Sequence, residues 1–169
     1  MTVEELGTVE RTGERYTLRL SRVIAAPLDR VWRAISEPEE IVKWLLCETT
    51  NAAEPGGQML LDWGDDGRNG GAILAYDPPR LVEYEWDTFP GGPGHGSVVR
   101  FELVEVAGGT QLLLTHRDLV PPETPGTAAG WHSHMDKLEA VLGDVELDWR
   151  GRFDELEPRY EAHIAAMAD

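Results

Sequence analysis

Two histidines, His116 and His134, are the side chains in this sequence best placed to do chemistry. An imidazole gains and loses its proton closer to neutral pH than any other unperturbed side chain, so it can orient a ligand or carry a proton. His134 follows Trp131 by three residues and precedes Leu138 by four, at the margin of an apolar helical stripe. His116 shares strand parity with Leu112 and Leu114. The spacing therefore aims both rings inward from opposite walls of one interior. There they would contact a ligand, act as acid or base, or serve as satisfied core groups. Asp118 shares the parity of His116 but falls at the strand's end, in solvent.

Other chemistries find less support. His132 and His134 are two apart on an expected helix, about 200° around it, and cannot clasp one ion. His132 and Asp136 share a face, yet a zinc site needs further ligands, so no metal and no cofactor is expected. Cys47 is the one cysteine, which rules out an internal disulfide and has no base beside it in sequence. Ser97 and Ser133 lack a nucleophile-elbow setting. The glycine-rich run 91–96 lacks the Lys-Ser/Thr ending of a phosphate loop and reads as a flap between strands. Glu83, Glu85 and Asp87 alternate along one strand as a solvated face. With 31 acidic against 15 basic side chains, neither nucleic acid nor an anionic membrane is an expected partner. The acidity serves solubility.

The elements that must position these groups can be traced along the chain. Residues 1–14 are polar and aperiodic, an expected flexible tail. Residues 15–26 read as a strand. Leu28, Val31, Trp32 and Ile35 follow at helical spacing after Pro27, and a second short helix starts at Ser36 with Glu39 completing a capping box. Strands are expected at 58–64, 71–76, 81–89, 98–106 and 111–118, separated by Gly-, Asp- and Pro-rich turns. Val82, Tyr84 and Trp86 alternate with acids, and Val99, Phe101 and Leu103 alternate with Arg100 and Glu102, as in an antiparallel sheet with one wet face. A helix over 127–143, with Trp131, Met135, Leu138 and Leu142 on one side, would cover the dry face. Residues 144–169 read as a final amphipathic helix, with Pro158 as a candidate break.

If that alternation holds, one interior collects Met59, Leu61, Trp63, Leu74, Tyr76, Tyr84, Trp86, Phe101, Leu103 and Leu114. His116, Trp131, His134, Met135 and Leu138 complete it. Aromatics with a few polar tips suit a small hydrophobic, aromatic or lipid-like ligand. The same residues would equally fill a solid core.

Val23-Ile24-Ala25-Ala26-Pro27 before Val31-Trp32, then Glu37-Pro38-Glu39 and Trp44, resembles the opening of the START-like helix-grip superfamily. More narrowly it is similar to the branch named after the activator of Hsp90 ATPase. Gly108-Gly109-Thr110 before the strand 112–116, and Gly130-Trp131 opening onto Leu138, Leu142 and Gly143, agree. The resemblance implies an α+β fold: a curved antiparallel sheet gripping a long C-terminal helix, with a ligand-pocket domain over 15–143 and the helical extension 144–169 packed on it. It implies a cavity but not an activity, because members of the superfamily differ in function. The first expectation is a cytoplasmic binding module for a small hydrophobic molecule. The second is a cyclase-like or hydrolytic enzyme using His116 and His134, and the third an interaction protein with an Hsp90-type chaperone partner. A homodimer through Phe153, Leu156, Tyr160 and Ile164 is a further expectation.

Overall fold

The computed structural model describes residues 5–51, 54–86 and 96–167. One antiparallel sheet runs in the order β1-β2-β8-β7-β6-β5-β4-β3. Its strands are β1 (Thr8–Thr12), β2 (Arg15–Ile24), β3 (Glu48–Asn51), β4 (Gln58–Asp62), β5 (Arg68–Asp77), β6 (Leu81–Glu85), β7 (Val98–Val106) and β8 (Gly109–Leu119). The sheet curves around α3 (Thr124–Leu142), while α1 (Leu28–Ser36) and α2 (Pro38–Leu45) bridge β2 and β3. Helix α4 (Trp149–Ala165) packs along α3. Among the described residues no helix is long and apolar enough to cross a membrane.

Period-two patterning dictates the sheet. Val82 and Tyr84 face inward opposite Phe101 and Val99, and Phe101 and Leu103 in turn pair with Leu114 and Leu112. Buried against them are Trp131, Met135 and Leu138 of α3, so the centre of the grip is a packed core. Burying one such side chain contributes about 1.5–3 kcal/mol.

Four expectations need correction. Thr8–Thr12 is an edge strand paired with Arg15–Arg19 of β2, not a loose tail; Val9 alone is buried, so the segment carries almost no apolar period. Ser36 closes no capping box, because its hydroxyl donates back to Trp32 O at 2.7 Å and α2 begins at Pro38. Pro158 sits inside a continuous α4. Leu74 points outward, 46% exposed. Ile73 pairs with Tyr84 and Tyr76 with Val82, so two residues of β5, Leu74 and Ala75, stand against Glu83 alone. That bulge shifts the parity by one and turns Leu74 to solvent. The expected strand beyond Trp86 and the glycine-rich flap lie outside the described residues.

Three of the four residues expected to form a dimer face lie inside the chain. Leu156, Tyr160 and Ile164 are buried within their own chain. At the base of α4, Gly7 N–H donates to Tyr160 Oη at 2.7 Å, and Tyr160 Oη shares a 2.8 Å hydrogen bond with His132 Nδ1. Burial pushes the Tyr160 hydroxyl up to about 12, so it stays protonated.

Candidate functional site

A helix end positions the site. The last carbonyls of an α-helix lack intrahelical donors and must find others. At the end of α2, Trp44 O accepts from His134 Nδ1 at 2.9 Å, and Leu45 O accepts from the Trp63 indole N–H at 2.9 Å. These two bonds pin an imidazole from α3 and an indole from the end of β4 side by side. Leu46 then reverses the chain in the left-handed region (φ 61°) with its side chain 43% exposed. A bulky residue in that conformation is strained.

Around these anchors lies a hollow of about 590 Å³, within the range of small-molecule sites. Its walls are aromatic. Trp86 packs at 6.0 Å from Trp63 and 5.0 Å from Trp131; Trp131 lies 6.3 Å from His134; His134 lies tilted against Trp149 at 4.7 Å, and Trp149 stacks on Phe153 at 5.3 Å. Arg150 holds its guanidinium 5.5 Å from the Trp149 ring and 5.9 Å from the Phe153 ring. Trp86 is fixed by the strand crossing beneath it. Gly70 N–H donates to Trp86 O, and a Cβ on Gly70 would overlap Met59 O, so only glycine lets β5 pass there. One face of α3 supplies Gly126, Thr127, Gly130, Trp131 and His134.

The two histidines differ in state. A carbonyl only accepts, so His134 Nδ1 carries the proton and Nε2 keeps its lone pair. His134 is 8% exposed, and burial lowers its pKa from 6.5 to about 4, which keeps the ring neutral at physiological pH. His116 is wholly buried. An indole N–H only donates, so Trp131 Nε1 gives its proton to His116 Nδ1 at 2.9 Å, and His116 Nε2–H donates to Ser97 Oγ at 3.0 Å. With both nitrogens engaged and burial pushing its pKa down to about 3, His116 holds Trp131 in place and presents nothing to a ligand.

Of the expected lining, Trp63, Trp86, Trp131 and His134 meet at the hollow. Met59, Leu61, Tyr84 and Phe101 are buried in the core, as are Leu103, Leu114, Met135 and Leu138. Tyr76 packs on Trp32 at 5.7 Å, away from the hollow, and Leu74 faces solvent. Leu46, Trp149, Arg150, Phe153 and the small residues Gly126 and Gly130 were not anticipated. The spacing of four between Trp149 and Phe153, matched by that between Gly126 and Gly130, was a usable signal: two helix faces, one bulky and one bare. A second hollow of about 660 Å³ between α2 and β3–β4 carries Glu39, Glu48, Asp62 and Arg68 but no aromatic ring, so it has nothing to stack a ligand on. Cys47 is buried, and burial raises its thiol to about 11, far from a reactive thiolate. Among the described residues no group of three or more His, Cys, Asp or Glu could hold a metal ion.

A curved sheet gripping a long helix, with a hollow at one end of the grip, defines a helix-grip protein. The family described as activator of Hsp90 ATPase homolog 1-like protein matches residues 25–143, and the chain belongs to it. Among solved structures, protein MLL2253 of Mesorhizobium loti is 28% identical with a TM-score of 0.67, over 78% of this chain and 99% of that one. CalU16 of Micromonospora echinospora is 26% identical with a TM-score of 0.72, over 93% of each chain. The conserved protein EF2215 of Enterococcus faecalis shares the fold at 18% identity, with a TM-score of 0.78 over 96% of this chain and 92% of its own. No curated protein matches the chain significantly.

Proposed function

We propose that this protein binds a small hydrophobic molecule with an aromatic ring in the hollow between α3, α4 and the end of α2. The observation that carries this reading is Gly130. It lies in the interior of a 19-residue helix, where glycine costs about 1 kcal/mol relative to alanine. A methyl built there would meet no atom within 4 Å. Packing therefore does not demand the glycine, and the space it leaves open sits among Trp63, Trp86, Trp131 and Trp149. Binding is favoured over proton-transfer catalysis because a base with a pKa near 4 is poorly matched to neutral pH. The lone buried cysteine fits a cytoplasmic setting.

The test uses 2-naphthol as ligand and tryptophan fluorescence as readout. Saturable quenching is expected with the natural chain. Gly130→Leu, whose side chain would enter the hollow, is expected to abolish quenching while leaving the circular dichroism spectrum intact. Quenching that survives Gly130→Leu, or none at all in the natural chain, would count against the pocket.

A further inference from the structure

The polar groups in the wall are few and differ in kind, which restricts the ligand further than its shape does. His134 Nε2 has no hydrogen-bond partner among the described residues, and its lone pair can only accept, so a ligand atom facing it must be a donor. Among the described residues Arg150 makes no ion pair, whereas Arg22, Arg117 and Arg152 each reach a carboxylate; its fork of N–H groups matches a carboxylate's two oxygens. Both groups sit against the same ring, that of Trp149. The other charged group of the wall is Asp66, exposed on the Trp63 side. An aromatic cage beside a carboxylate could instead suit a cation. Here Arg150 already occupies the cation position over Trp149 and Phe153 and would repel a second positive charge. The chain's net charge of −16 disfavours anions at long range, but salt screens that field beyond about 8 Å, leaving Arg150 to decide locally.

Resting on the pocket reading above, we infer that the ligand is a flat aromatic carboxylate bearing a hydroxyl. Its rings would stack among Trp63, Trp86, Trp131 and Trp149, its hydroxyl would donate to His134 Nε2, and its carboxylate would meet Arg150. Arg150 and Trp149 lie beyond residue 143, where the family match ends, so α4 sets this preference.

Calorimetric titration with 6-hydroxy-2-naphthoate, 6-methoxy-2-naphthoate, 2-naphthol and 2-naphthylmethylamine tests it. The hydroxy acid is expected to bind about tenfold tighter than 2-naphthol and than the methoxy acid, as one charge-assisted or one directed hydrogen bond would give. Arg150→Gln is expected to weaken the hydroxy acid about tenfold more than it weakens 2-naphthol, erasing the advantage between the two. His134→Asn keeps a donor near Trp44 O but removes Nε2, and should erase the advantage over the methoxy acid. The methoxy comparison on the natural chain gives that answer even if His134→Asn does not fold. A hydroxy acid no tighter than 2-naphthol, or an amine that binds as well as the acid, overturns the inference while 2-naphthol binding blocked by Gly130→Leu would leave the pocket standing. If none of the four binds, the pocket fails with it.

Discussion

On the side of α3 that faces β2 and the body of α4, Asp136 accepts from Arg22 at 2.6 Å and Arg152 at 2.7 Å, and His132 bonds Tyr160. Two residues past His132, on the side that faces the hollow, His134 keeps one nitrogen unpaired among the described residues, and a Cβ on Gly130 would meet no atom within 4 Å. The first side is closed with polar bonds, and its groups hold the C-terminal helix against the sheet. The second side is left incomplete at a cost in stability. One helix thus separates a fastening face from a receiving face, and substitutions on the two should fail in different ways.

The sharpest break of this contrast is Asp136→Ala. It removes the carboxylate that both Arg22 and Arg152, each largely buried, share, while Glu139 still reaches Arg22 and Glu155 still reaches Arg152. Urea unfolding should register a loss of about 3 kcal/mol, with 2-naphthol affinity of the folded protein unchanged. A loss well under 1 kcal/mol would mean the fastening face does not fasten. Next, Trp131→Phe keeps a ring in the wall but leaves His116 Nδ1 buried without its donor. The expected loss is about 2 kcal/mol. An unaltered unfolding midpoint would remove His116 from the supporting framework.

Acid provides a third comparison. The unfolded imidazoles take a proton below their ordinary value of 6.5, whereas folded His134 waits until about 4 and His116 until about 3. Between those limits the unfolded chain binds more protons, so stability falls as pH drops from 6.5 toward 4, by about 1.4 kcal/mol per pH unit for each histidine. Ligand affinity should stay flat from pH 6 to 8, because His134 Nε2 remains unprotonated throughout. An affinity step near pH 6.5 would show His134 to be more exposed than the hollow implies. The smallest effect has the opposite sign: Gly130→Ala should stabilise by about 1 kcal/mol in thermal or urea unfolding, while weakening a tightly fitting ligand. A destabilised Gly130→Ala would show that the receiving face is already packed.

Much of the sheet was legible in the sequence, whereas the fastening bonds of Asp136 and His132 were not, because their partners Arg22, Arg152 and Tyr160 are distant along the chain. Alternation along 98–106 and 111–118 marked which residues of β7 and β8 face the core, because both strands are half wet and half dry along their length. Leu74 escaped that logic: a bulge changes parity without changing composition, and Leu-Ala carries no mark of it. Thr8–Thr12 escaped because an edge strand with one buried residue has almost no pattern to read. His116 and His134 were both expected to face the interior, and both do. Which one kept a free nitrogen depended on partners distant in sequence, Trp131 and Ser97 for one and the Trp44 carbonyl for the other. The pocket wall from α4 was hidden for a related reason. Trp149 and Phe153 read as apolar residues of an amphipathic helix, and only the docking of α4 decides whether they cover core or border a space.

The bond from Gly7 to Tyr160 carries a consequence for the order in which the chain can be written. It joins the residue leading into β1 to α4. A glycine-serine splice from the end of α4 to Gly7, with a new opening at the exposed turn around Gly13, would leave the grip, the hollow and α4 in their present places. The fold is in this sense a ring of elements, and its starting point is a matter of genetics more than of architecture.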